Sequence, residues 1–126
     1  IARAFFAASR DGDVAALSAL LARDVEIHSD GGGKVLAFRN VVRGLQSALR
    51  LFASAHRKAV TSPSFLRSAI VDGLPGYLSL DHNGALQTTA LEIRDGRIFG
   101  IYMVKNPDKL THVQASSRTA QIERLR

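Results

Sequence analysis

Chemistry in this sequence has to come from a few side chains. His28 and Asp30 alternate in VEIHSD, Asp81 and His82 precede an Asn-Gly pair, and Glu92 and Tyr102 sit in two alternating apolar runs. Asp30, His28, Glu92, Asp81 and Tyr102 are therefore the candidates for general acid/base work, which needs such a group in a water-poor pocket, tuned by burial or a partner. His28, Glu92 and Tyr102 are the candidates for lining a pocket. Spacing alone brings no two of them together, and no nucleophilic triad is better supported. His28, His56, His82 and His112 fall on different predicted elements, and no two have the i, i+4 spacing of a helical zinc site. His28 and Asp30 could form one side of a small metal site, but a partly exposed strand histidine accounts for the same spacing. With no cysteine, thiolate metal sites, disulfides and cysteine nucleophiles are excluded together, and no residue set calls for a metal or cofactor.

Two short motifs stand apart. In SDGGGKV three glycines lie between Asp30 and Lys34. A phosphate-binding loop would need a glycine at His28 and a hydroxyl at Val35, so that reading fails. An ordered triple glycine is costly in entropy, which leaves a slack loop or a surface approached closely by another chain. The second motif, NPDKL at 106–110, reads locally as a helix start: Asn106 as cap, Pro107 in the first turn, Asp108 near the positive end of the dipole and Leu110 pinning the turn.

The elements that must position these residues follow from pattern. Phe5, Phe6 and Ser9 lie on a short helix closed by Gly12; Asp13 caps a second helix carrying Val14, Leu17, Leu20 and Leu21. VEIHS at 25–29 and VLAF at 35–38 read as short strands. Asn40 is expected to cap a third helix bearing Val41, Leu45, Leu49 and Phe52, with Arg43, Arg50 and Arg57 at heptad spacing on other faces, read as a solvated basic stripe. From residue 62, SFLRSAIV, GYLSLDH, ALQTTALEIR and RIFGIYMVK are separated by Asp72-Gly73, Asn83-Gly84 and Asp95-Gly96, which predicts a four-stranded antiparallel meander. Pro107 ends the last strand. Helices followed by a meander make an α+β domain, with helices on one face of a curved sheet enclosing a pocket.

At 126 residues the chain has room for one domain, expected over 1–113, with a basic tail over 114–126 that contributes Arg118, Arg124 and Arg126 against Glu123 to a net charge of +6. No apolar run approaches the ~20 residues of a membrane-spanning helix, so a soluble protein without a membrane partner is expected. The opening IARAFFAASRDGD lacks an initiator Met and already lies inside a helical pattern, so sequence upstream is expected.

Together, DGGGK, NPDKL, the opening FFAASRDGDVAALSALLARDV and the strand GRIFGIYMV closely resemble the extracytoplasmic-function (ECF) sigma factors of the sigma-J type, which carry a SnoaL-like domain after their two DNA- and polymerase-binding regions. The resemblance runs to about Val113. It implies a cone-shaped SnoaL-like fold of the nuclear-transport-factor-2 kind, a cytoplasmic location, and a domain that is regulatory rather than catalytic. It further implies that Asp30, Gly31, Gly32, Gly33 and Lys34, with Asn106, Pro107, Asp108, Lys109 and Leu110, lie at or near an interdomain contact. The implied partners are the protein's own sigma regions and their linker, with RNA polymerase core and promoter DNA reached through the full-length protein. The sigma regions themselves are not in this sequence. Two other readings stay open beside the regulatory one: a SnoaL or ketosteroid-isomerase-like enzyme, and a sensor with a small apolar ligand in the cone. A homodimer is likewise open.

Overall fold

The computed structural model describes residues 1–30, 41–59, 61–81 and 83–105. Helix α1 spans Ala2–Asp11 and ends where Gly12 turns left-handed, at φ 65°, its Cα facing the His56 ring so closely that a Cβ would lie 2.9 Å from it. Asp13 then caps α2, Val14–Leu20, its carboxylate accepting from the Ala16 amide at 3.1 Å; such a cap contributes about 1 kcal/mol. Leu21, expected on that helix, instead opens strand β1, Leu21–Asp30.

The third helix is shorter at its start than its pattern suggested. Val41–Arg43 form strand β2, antiparallel to β1, and α3 spans Leu45–Lys58 with Gly44 before it, whose amide donates to the Val25 carbonyl at 2.8 Å. Val41 thus leaves the predicted helix, and Arg43 leaves the predicted stripe, of which Arg50 and Arg57 remain on α3. The β-branched Val41-Val42 pair and the glycine at 44 explain the later start. Asn40 and the VLAF run lie outside the described residues.

The meander forms as expected: β3 Ser64–Val71, β4 Leu74–Leu80, β5 Leu86–Arg94 and β6 Arg97–Lys105, each antiparallel to the next. Asp72-Gly73 and Asp95-Gly96 both take positive φ, as a two-residue hairpin turn with the right-handed strand twist requires. Pattern did not reveal that β1 runs parallel to β6, giving a six-stranded sheet in the order β2-β1-β6-β5-β4-β3. Such a pair needs a long crossover, which no local signal announces.

The helices lie on one face of this sheet. Phe5, Leu17, Leu21, Val25, Ile27, Leu91, Ile98 and Ile101 are buried beneath them, and the Phe6 ring meets Phe65 and Tyr77 edge-on at 5.3 and 5.5 Å. Among the described residues no helix is long and apolar enough to cross a membrane.

Candidate functional site

Strand parity sorts the polar residues between two faces. On the helix side, Ser29 of β1, Tyr77 and Ser79 of β4, Gln87 of β5, and Met103 and Lys105 of β6 line a cavity of about 320 Å³, with Phe5, Phe6 and Phe52 of the helices on its opposite wall. That volume lies at the low end for small-molecule sites. Its walls are mostly apolar, and its polar end is built around one carboxylate.

That carboxylate is Asp81. Its Oδ1 accepts from the amides of Asn83 and Ala85 at 2.9 and 2.8 Å, organising the turn between β4 and β5, while Lys105 Nζ lies 2.9 Å from Oδ2. The Asp81 side chain is only 8% exposed. Burial alone would raise its pKa, but the Lys105 ammonium and the Ala85 and Asn83 amides outweigh burial and hold it below the ordinary carboxylate value. A carboxylate held down in this way is a weak base, whereas a general base working near neutral pH needs the opposite shift. Tyr77, also on the cavity wall, is pushed up to about 12 by burial, against lowering contributions from the Thr89 and Ser9 hydroxyls. It is neutral at physiological pH.

His28, Tyr102 and Glu92 come together, but on the face away from the helices. His28 pairs with Tyr102 across β1 and β6, their rings stacked at 4.9 Å and 18°, and the Tyr102 hydroxyl donates to Glu92 Oε1 at 3.1 Å. The network continues at both ends: His28 Nε2 meets Glu26 Oε1 at 3.1 Å, Arg43 Nε donates to Glu26 Oε2 at 3.4 Å, and Arg94 Nε lies 3.7 Å from Glu92 Oε2. Burial raises the Tyr102 pKa first, with the neighbouring Glu92 and Glu26 carboxylates adding to it. None of the three lines the cavity of about 320 Å³. Among the described residues no three His, Asp or Glu are grouped to hold a metal ion, and His56 instead ties α3 to α1 through the Arg10 carbonyl at 2.8 Å.

The strands that lead into the two motifs end side by side. Asp30 pairs in parallel register with Val104, so the chain enters residues 31–34 and 106–110 from adjacent strand ends. Gly31, Gly32, Gly33, Lys34, Asn106, Pro107, Asp108, Lys109 and Leu110 themselves lie outside the described residues, as do His82, His112 and the tail. Lys105, which joins the second motif to the cavity, was not among the predicted site residues. Its signal was parity, since it is two and four residues beyond the inward Met103 and Ile101.

Solved structures of other proteins share this architecture. A candidate polyketide cyclase, SMa1630 of Sinorhizobium meliloti, superposes with a TM-score of 0.62 at 21% identity, covering 79% of this chain and 88% of its own. A SnoaL-like protein of unknown function from Burkholderia thailandensis gives 0.64 at 15% identity, covering 82% and 89%. The fold is SnoaL-like, of the NTF2 type. Within that fold, the ECF sigma factor SigJ of Mycobacterium tuberculosis superposes with a TM-score of 0.59 at 26% identity, covering 86% of this chain and 42% of that one. In sequence the chain is homologous to SigJ, 28% identical over 127 aligned positions that cover 91% of this chain. It spans 39% of the length of SigJ. No family model matches the chain.

Proposed function

We propose that this SnoaL-like chain is the regulatory domain of an ECF sigma factor and adjusts transcription initiation by contact in cis with the sigma regions and their linker. RNA polymerase core and promoter DNA are engaged by the full-length protein, not by this domain. Beside the homology to SigJ, the observation that carries the reading is the parallel register of Asp30 with Val104, which brings the roots of DGGGK and NPDKL to one rim. A backbone without side chains allows close approach, and Asp30 and Lys34 supply charge-assisted hydrogen bonds on either side. Asn106, Pro107, Asp108, Lys109 and Leu110 form the second half of the contact. Hydrogen exchange on the full-length protein tests this. Amides over 30–34 and 106–110 are expected to exchange far more slowly than a solvated loop; exchange at loop rates in both segments overturns the contact.

The cavity favours a second role within the same reading, that of a sensor for a small, mainly apolar molecule. Its ion pair is internal, so an uncharged ligand fits it better than an anion that must displace Asp81 from Lys105. Such a ligand shifts the regulatory equilibrium only if it binds the docked and released states with different affinity. A thermal-shift screen reads the binding, and transcription output insensitive to every binder rejects the sensor role.

A further inference from the structure

The helix-facing side of the sheet changes character along its strands. Leu91, Ile101 and Ile27 pair across β5, β6 and β1 and are fully buried, a dry row under the helices. Further along β5 and β6, on the same face, stand Gln87 and Lys105, paired with each other, and Ser79 of β4 pairs with Gln87 on the other side. All three line the cavity of about 320 Å³, across from Phe5, Phe6 and Phe52. At its inner end this row is no part of the solvated surface, since Ser79 is only 3% exposed. A hydroxyl, a carboxamide and an ammonium set side by side against aromatic rings cost free energy unless something in the cavity meets their hydrogen-bonding groups.

Lys105 has donors to offer. Its ammonium carries three N–H groups. Its approach to Asp81 Oδ2, at 2.9 Å, is too poorly aligned for a hydrogen bond, so that among the described residues the buried Oδ2 accepts none. The pair is held by charge, and Asp81 already balances the charge on Lys105. An ammonium in that state favours a neutral acceptor over a second anion.

We infer that the cavity takes a small neutral molecule with an apolar body and one oxygen acceptor, a hydroxyl or a carbonyl, at its end. The oxygen accepts from Lys105 Nζ and from the Gln87 carboxamide, and the body lies against Phe5, Phe6, Phe52 and Met103. The inference rests on the sensor role and names the ligand class that role leaves open. Lys105 is also the last residue of β6, directly before Asn106. A ligand held by its ammonium therefore bears on the strand end that leads into NPDKL.

Ligand-observed NMR titration of the full-length protein with benzyl alcohol, its hydrocarbon counterpart ethylbenzene and the anion benzoate tests this. Benzyl alcohol is expected to bind about fivefold or more tightly than either of the others. Gln87→Leu and Lys105→Met are each expected to lower its preference over ethylbenzene by about threefold or more. Gln87→Leu nearly conserves volume and leaves the Asp81–Lys105 pair in place, so it decides the matter even if Lys105→Met fails to fold. Ethylbenzene binding as tightly as benzyl alcohol overturns the proposal, as does benzoate binding tightest, or a preference that Gln87→Leu leaves unchanged. Transcription output separates this assignment from the sensor role. Output insensitive to every binder that shows the preference rejects the sensor role alone; output that responds to ethylbenzene as strongly as to benzyl alcohol overturns the ligand class alone.

Discussion

The two faces of the sheet handle their charges differently. Under the helices, the largely buried Asp81 carboxylate accepts two amides at Oδ1 and faces the Lys105 ammonium at Oδ2. On the outer face, Glu26 and Glu92 are partly exposed, and the stacked His28 and Tyr102 rings lie between the Arg43–Glu26 and Glu92–Arg94 pairs. The buried carboxylate fixes a turn and a strand end; the exposed ones decorate a surface with pairs worth about 0–1 kcal/mol each. Of the candidate groups in the sequence, His28, Glu92 and Tyr102 thus lie on the outer face, and Asp81 lies inside the cavity, held by internal partners.

Neighbouring residues on opposite faces give the largest contrast. Ile27→Ala removes an inward side chain that is 1% exposed and is expected to cost about 2–5 kcal/mol, whereas His28→Ala on the outer face should cost under about 1 kcal/mol, both read by urea denaturation. Comparable losses would break the assignment of faces.

Alkali sharpens the same comparison. The Tyr77 pKa is raised to about 12 in the folded protein, so its contribution is present below the unfolded tyrosine value of about 10 and is lost as pH rises from there to about 12. The loss is expected to reach about 2–3 kcal/mol, and Tyr77→Phe should flatten that limb of the stability curve. In acid the sign reverses. Asp81 is depressed when folded, so its contribution is present above the unfolded value of about 3.9 and is lost as pH falls through the lower folded one. Asp81→Asn is expected to cost about 1–3 kcal/mol at pH 7 and to weaken the dependence below about pH 4. A variant curve parallel to the wild type would contradict the ion pair.

The smallest effect is expected outside. Glu92→Gln should lower the Tyr102 titration midpoint, followed by absorbance in a Tyr77→Phe background, while stability stays within about 0.5 kcal/mol.

Much of this architecture was legible in local pattern. Gly12, Asp13 and the three turn pairs each act within a few residues of themselves, and the helix ends and hairpins they announced are present. The start of α3 was misread because the apolar spacing of Val41 suits a helix, while its β-branching and Gly44 favour what is found. The parallel pairing of β1 with β6 was hidden, since it joins residues more than seventy apart in the chain. That pairing decides which of His28, Tyr102 and Lys105 share a face. Parity within β6 would have separated Tyr102 from Lys105, but only the register sets Lys105 against the cavity and stacks Tyr102 on His28.

The most direct test of regulation in cis is transcription from a cognate promoter by the full-length protein carrying Asp30→Ala or Lys34→Ala. At wild-type protein levels and unchanged Tm, a docking role predicts a change in output of about fivefold or more, in either direction. Unchanged output from both variants would contradict it.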